Sequence, residues 1–106
     1  MTILLQRVNI IRRMIKSFGC KETQKIFNRE YSLKLPSSIQ KAAMRKLWMI
    51  NAASSINDLK IPPANCLEKL KGKRKGQYSI RVNEQWRACF KWHQQDAYEV
   101  EIMDYH

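Results

Sequence analysis

Histidine, cysteine and glycine are all scarce in this 106-residue sequence, and each shortage excludes a class of site. The only histidines, His93 and His106, cannot combine with Cys20, Cys66 and Cys89 into the ligand spacing of a zinc site. An odd number of widely separated cysteines is typical of reduced thiols in the cytosol. None of the recognised glycine-rich phosphate loops is present. We therefore expect neither a metal nor a cofactor.

Acidic residues and long apolar runs are also in short supply. The chain has 20 Lys and Arg against 9 Asp and Glu, a net charge of +11, which favours a polyanionic partner. No apolar run approaches the length of a membrane span, so we expect a cytoplasmic protein without a membrane partner. Residues 1–13 lack the unbroken apolar segment and cleavage site of a secretory signal. We interpret them as an N-terminal extension, with Met14 as an alternative natural start, before a single domain at 14–106.

The length and the 44% hydrophobic content suit one globular domain with one core. A strand is predicted at Met14–Phe18 and a short helix at Lys21–Tyr31. The clearest amphipathic pattern covers Ser38–Ala52, where apolar residues recur at helical spacing after a Pro-Ser-Ser start signal. Leu67 and Leu70 are expected to anchor the following connector on the core.

Three segments after Gly76 alternate apolar and polar residues with a period of two, which predicts β-strands. Short polar loops between them favour consecutive antiparallel pairing. The fold class is therefore α+β, with two N-terminal helices packed on a small, mainly antiparallel sheet. The alternation leaves Arg81, Arg87 and Lys91 on the other face, which we expect to be exposed and able to hold a phosphate backbone.

A basic loop at Lys71–Gly76 leads into these strands, and the chain closes on Tyr105 and His106. Charged loops of this kind are commonly no more than solvated surface. RNA cleavage without a metal, however, needs a base for the 2′-hydroxyl, cations around the phosphate and an acid for the departing 5′-oxygen. Tyr105 and His106 could transfer protons, with Lys71, Arg81 and Arg87 as the cations.

Six short elements along the chain, taken in order, resemble a known family. They are Met-Ile-Lys-Ser-Phe at 14–18, Leu-Lys-Gly at 70–72, Tyr-Ser-Ile at 78–80, Trp-Arg at 86–87, Asp-Ala-Tyr at 96–98 and the closing Asp-Tyr-His at 104–106. The sequence is similar to HigB-type toxins of the RelE/ParE toxin–antitoxin superfamily. This resemblance implies a compact RelE-like fold in a bacterial, cytoplasmic, ribosome-dependent mRNA endonuclease. It also implies a helix-turn-helix antitoxin of the HigA type as partner.

Carried over position by position, the resemblance marks Lys71, Arg87, Tyr105 and His106 as residues for cleavage, with Arg81 as a weaker transfer. Some relatives have histidine three residues before the lysine of Leu-Lys-Gly, where this chain has Glu68. Either Glu68 replaces that histidine as acid or base, or the terminal pair suffices. Binding of RNA or the ribosome is assigned to four further basic residues, Lys73, Arg74, Lys75 and Lys91.

Two alternatives share the predicted fold, and fold alone does not choose between functions. One is a ParE-like inhibitor of DNA gyrase without nuclease activity. The other is an RNA-binding toxin that has lost its activity. The terminal Tyr-His pair and the clustered basic residues favour the nuclease, a metal-independent endoribonuclease that inhibits translation.

Overall fold

The structure is a computed structural model that describes residues 14–105. The predicted extension at 1–13 and the terminal His106 lie outside the described residues. Within residues 14–105, no helix is long and apolar enough to cross a membrane.

Two helices precede the sheet, and both were predicted with slightly different bounds. Helix α1 covers Lys21–Phe27, and the sulfur of Cys20 accepts a hydrogen bond at its start. The prediction ran it to residue 31, but Arg29 has a φ of +66°, which turns the chain out of the helix. Helix α2 covers Ser37–Ala52. It buries Ile39, Ala43, Leu47 and Ile50, as its periodicity predicts.

The sheet has four antiparallel strands in the order β1-β2-β3-β4. Strands β2 (Gln77–Arg81), β3 (Trp86–His93) and β4 (Asp96–Asp104) are the three predicted ones. Strand β1 (Glu68–Lys69) was not predicted, because two residues are too few to show an alternation. Its neighbour Leu70 is buried, and the other predicted anchor, Leu67, packs against the hydrophobic core.

The predicted strand at Met14–Phe18 is present only as two isolated bridges. Ile15 pairs with Ala97 and Phe18 pairs with Val100, both in parallel with β4. The side-chain oxygen of Asn51 on α2 accepts the backbone N–H groups of residues 14 and 15, so part of this segment is tied to the helix rather than to a ladder. The segment still covers the outer edge of β4.

The hydrophobic core lies between the helices and one face of the sheet. Strand residues Ile80, Ala88, Phe90 and Val100 are fully buried there beside Leu47 of α2. This arrangement confirms the predicted α+β class, with two helices on a small antiparallel sheet. The side chains on the opposite face of the same strands are held by other interactions.

Candidate active site

The face of the sheet turned away from the helices is here called the polar face. In the register of β2 and β3, Ser79 lies opposite Cys89 and Arg81 lies opposite Arg87. Ser79 and Cys89 are fully buried, and the Arg87 side chain is only 15% exposed. The expectation of an exposed, arginine-bearing face is therefore wrong for its centre, where side chains cover one another.

Arg87 is the centre of this arrangement. Its Nη1 donates to the Ser79 hydroxyl at 2.8 Å and to the backbone carbonyl of Cys66 at 3.2 Å. The same nitrogen lies 3.7 Å from a carboxylate oxygen of Glu68, and the guanidinium carbon lies 5.7 Å from the ring centre of Tyr105. A guanidinium fixed by several partners is pre-organised to bind a carboxylate or a phosphate, because few rotamers remain to be lost on binding. The structure thus brings three of the predicted site residues together.

Tyr105 reaches Arg87 because the end of the chain is held against the turn between β2 and β3. Its backbone N–H donates to the carbonyl of Gln85 at 2.7 Å. The side chain of Gln85 in turn donates to the carboxylate of Asp104 at 2.9 Å. The Tyr105 side chain remains partly exposed, so its hydroxyl is accessible to a ligand bound at Arg87.

Two of the predicted cations are engaged with acids instead. Arg81 lies 4.0 Å from the carboxylate of Glu84 in the β2–β3 turn, and Lys91 lies 3.0 Å from that of Glu99. Exposed ion pairs of this kind contribute little and exchange readily with other anions. Both residues are therefore at the periphery of the Arg87 cluster rather than in it.

The basic loop contributes a separate group of charges. It forms a short 3-10 turn at Gly72–Arg74, in which Arg74 turns inward and donates to the side chain of Gln77 at 3.1 Å. Lys71, Lys73 and Lys75 are exposed. No hydrogen bond or ion pair in the described part of the chain joins Lys71 to Arg87.

The buried thiol of Cys89 lies beneath the arginines. Burial raises its pKa, although the nearby Arg74 and Arg87 act in the opposite direction. A neutral buried thiol is a packing group and a poor nucleophile. Within residues 14–105, no group of three His, Cys, Asp or Glu side chains could hold a metal ion.

Two partners of Arg87 were missed by sequence reasoning. Ser79 could have been found, because the predicted alternation places it on the same face as Arg81. The sequence did not indicate that the Cys66 carbonyl would contact Arg87. Its position depends on the left-handed conformation of Cys66 (φ +46°), which follows a short 3-10 turn.

The fold and the site together define a small α+β domain whose polar sheet face centres on an arginine with a tyrosine, a glutamate and a serine around it. Residues 16–106 match the family model described as "RelE-like toxin of type II toxin-antitoxin system HigB". The chain belongs to this family, which confirms the resemblance seen in the sequence.

Individual relatives are similar over different lengths. Toxin HigB-1 of Vibrio cholerae serotype O1 is 52% identical over 58 residues, covering 55% of this chain and 61% of that protein. An uncharacterized protein of Haemophilus influenzae is 52% identical over 59 residues, covering 56% of this chain and 58% of its own. Endoribonuclease HigB of Proteus vulgaris is 33% identical over 93 residues, covering 88% of this chain and 100% of its own. The chain thus spans about three fifths of the first two relatives.

Proposed function

We propose that the chain is an endoribonuclease toxin that cleaves mRNA on the ribosome and thereby inhibits translation. The observation that carries the proposal is the cluster around Arg87, where a fixed guanidinium has Glu68 at 3.7 Å and the Tyr105 ring at 5.7 Å. The similarity to a Proteus protein named as an endoribonuclease supports the nuclease over the gyrase inhibitor. A ribosomal target implies action in the cytoplasm.

In this proposal Arg87 binds the scissile phosphate and stabilises the negative charge that develops on its oxygens. An incoming phosphate competes with the carboxylate of Glu68 for the guanidinium. The half-exposed Glu68 is thereby released, and it takes the proton from the 2′-hydroxyl. The 2′-oxygen attacks phosphorus, and the bond to the 5′-oxygen breaks. Tyr105 or His106 supplies the proton to that leaving oxygen.

The remaining basic residues would guide RNA to this site. Lys71 and Arg81 add positive charge near the phosphate, and an anionic ligand releases Arg81 from Glu84. Lys73, Arg74, Lys75 and Lys91 contact RNA or ribosomal phosphates, which makes binding strongly dependent on salt. The chemistry is proposed to need no metal, so toxin that has been treated with EDTA and then freed of the chelator should cleave ribosome-bound message like untreated toxin.

The family pairs each toxin with an antitoxin, and we propose a helix-turn-helix protein of the HigA type as the partner here. We also propose that residues 14–106 form a single RelE-like toxin domain, with 1–13 as an N-terminal extension. Expression from Met14 should then inhibit growth as strongly as expression from Met1, and co-expression of the antitoxin should relieve both.

The deciding experiment is induced expression with mapping of mRNA 5′ ends for the wild type and for Arg87→Ala. We expect discrete cleavage sites for the wild type. Cleavage at these sites should be about 10²- to 10³-fold slower for the variant, which is the loss that follows removal of one pre-organised donor. Arg45→Ala on α2, another arginine, should cleave like the wild type. Intact message with DNA breaks would instead support a gyrase inhibitor, and neither effect would support an inactive RNA-binding protein.

A further inference from the structure

A second basic site lies beside the Arg87 cluster, at the junction of β1 and the basic loop. Lys69, Leu70, Lys71, Gly72 and Lys75 line a cavity of about 380 Å³. This volume is within the usual range of small-ligand pockets, about 300–1,000 Å³. Three of the five lining residues are lysines, so the cavity lies in a positively charged part of the surface.

These three lysines differ from the other cations of the sheet because they form no ion pair with a carboxylate among residues 14–105. Arg81, Arg87 and Lys91 each lie within 4.0 Å of a carboxylate. Among residues 14–105, no carboxylate lies within ion-pair distance of Lys69, Lys71 or Lys75. Their charge is therefore fully available to an anion from outside the molecule.

The walls of the cavity suit more than a phosphate. Leu70 is buried at its base, and the methylene stems of the lysines complete an apolar lining. Gly72 has a φ of +67° and open space where a side chain would stand, so the loop can bend back and leave the cavity free. A mainly apolar lining that includes lysines suits a ribose or base attached to a phosphate.

We propose that this cavity binds one nucleotide of single-stranded RNA, with its phosphate held by Lys69 and Lys75. The inference rests on the proposed function and assigns a second RNA site to it. Glu68 and Lys69 are consecutive residues of the edge strand β1, so their side chains point to opposite faces. Their backbone positions are one residue apart, about 3.3 Å along the strand. RNA therefore passes over the β1 edge, with the cleaved bond at Arg87 and a neighbouring nucleotide in the cavity.

The test measures binding of a short 2′-O-methyl RNA, which cannot be cleaved, by fluorescence anisotropy at several KCl concentrations. Each phosphate contact on a single strand contributes about 0.7 to the slope of log affinity against log salt, which is about fivefold at 0.1 M relative to 1 M salt. The double variant Lys69→Ala/Lys75→Ala should lose about this much of the slope, and each single variant should lose part of it. Lys69→Arg and Lys75→Arg should retain it, because they keep the charge.

The matched control is Lys60→Ala, an exposed lysine outside the cavity, which should bind RNA like the wild type. Thermal melting followed by circular dichroism confirms that each variant is folded. In steady-state cleavage of ribosome-bound message, Lys69→Ala and Lys75→Ala should raise KM and leave kcat unchanged, which separates holding a nucleotide from chemistry.

The phosphate could belong to the message or to ribosomal RNA, and repeating the titration with ribosomes that carry no message distinguishes them. A loss with the free oligonucleotide assigns the cavity to the message, and a loss only with ribosomes assigns it to ribosomal RNA. Wild-type affinity and slope for both lysine variants in both titrations would overturn the proposal. A wild type that cleaves no message would contradict the nuclease, while the titrations would still decide the cavity.

Discussion

The two faces of the sheet are built from alternate residues of the same strands, yet different forces hold them together. Ile80, Phe90 and Val100 are buried on the helical face by apolar contacts. Ser79 and Cys89 are equally buried on the polar face, beneath the hydrogen-bonded side chain of Arg87. The helical face is stabilised by close packing of apolar side chains. The polar face is stabilised by the hydrogen bonds and the ion pair of Arg87. In the proposed mechanism a phosphate replaces one of the partners of Arg87, the carboxylate of Glu68, while the hydrogen bonds of Arg87 to Ser79 and Cys66 remain.

The largest effect on stability is expected on the helical face. Phe90→Ala should lower the free energy of unfolding by about 3–5 kcal/mol, because it removes a fully buried ring and leaves a cavity. Urea denaturation followed by tryptophan fluorescence measures the change. Lys91→Ala, one residue further and exposed, should cost less than about 1 kcal/mol. Similar losses for the two variants would mean that the faces are not distinguished in this way.

The largest effect on activity after Arg87 is expected from Tyr105. Tyr105→Ala should reduce cleavage of ribosome-bound message by at least about 10²-fold, as for loss of an acid–base group. Tyr105→Phe keeps the ring near Arg87 and removes only the hydroxyl. Equal losses for Phe and Ala would assign the hydroxyl to proton transfer, and a near wild-type rate for Phe would assign the ring to positioning Arg87. Full activity after deletion of Tyr105 and His106 would contradict both roles.

Substitution of Glu68 tests whether this residue of the polar face is the base that accepts the proton of the 2′-hydroxyl. Glu68→Gln should lower kcat about 10²-fold at unchanged stability, because its carboxylate is half exposed and its pair with Arg87 adds little to folding. Glu68→His should recover much of the rate, since imidazole can also accept a proton. A rate for Glu68→Gln within a factor of about three of the wild type would reduce Glu68 to an ion-pair partner of Arg87.

The smallest effect is expected for Ser79. Ser79→Ala should cost about 1 kcal/mol of stability and lower the cleavage rate several-fold, because Arg87 loses one neutral hydrogen bond but keeps its other partners. Ser79→Thr preserves the hydroxyl and should retain more activity than the alanine variant. If Ser79→Ala is as inactive as Arg87→Ala, the serine has a direct part in the chemistry.

Much of the fold was readable from the sequence, because its signals are periodic. The buried stripe of α2 and the alternation of β2 to β4 each extend over several residues, so single exceptions do not hide them. Strand β1 was missed because two residues cannot show a period, and α1 was predicted too long because nothing marked the left-handed turn at Arg29. Local geometry of one or two residues is set by the surrounding structure rather than by composition.

The site was predictable only in its residue types. Arg87, Tyr105 and Glu68 were named in advance, but their meeting depends on the register of β1 with β2 and on the tail bound to the Gln85 carbonyl. Arg87 also pairs with Glu68 on another strand, and composition alone does not indicate that pairing.

The bridges from the segment before α1 to β4 carry a consequence for biosynthesis. Lys16 and Gly19 donate their backbone N–H groups to Ala97 and Val100, and Thr23 accepts one from Ile102. The first described residues thus acquire their partners only when the last strand has been translated. The nascent polypeptide cannot complete its tertiary structure while its carboxyl-terminal strand is still in the exit tunnel.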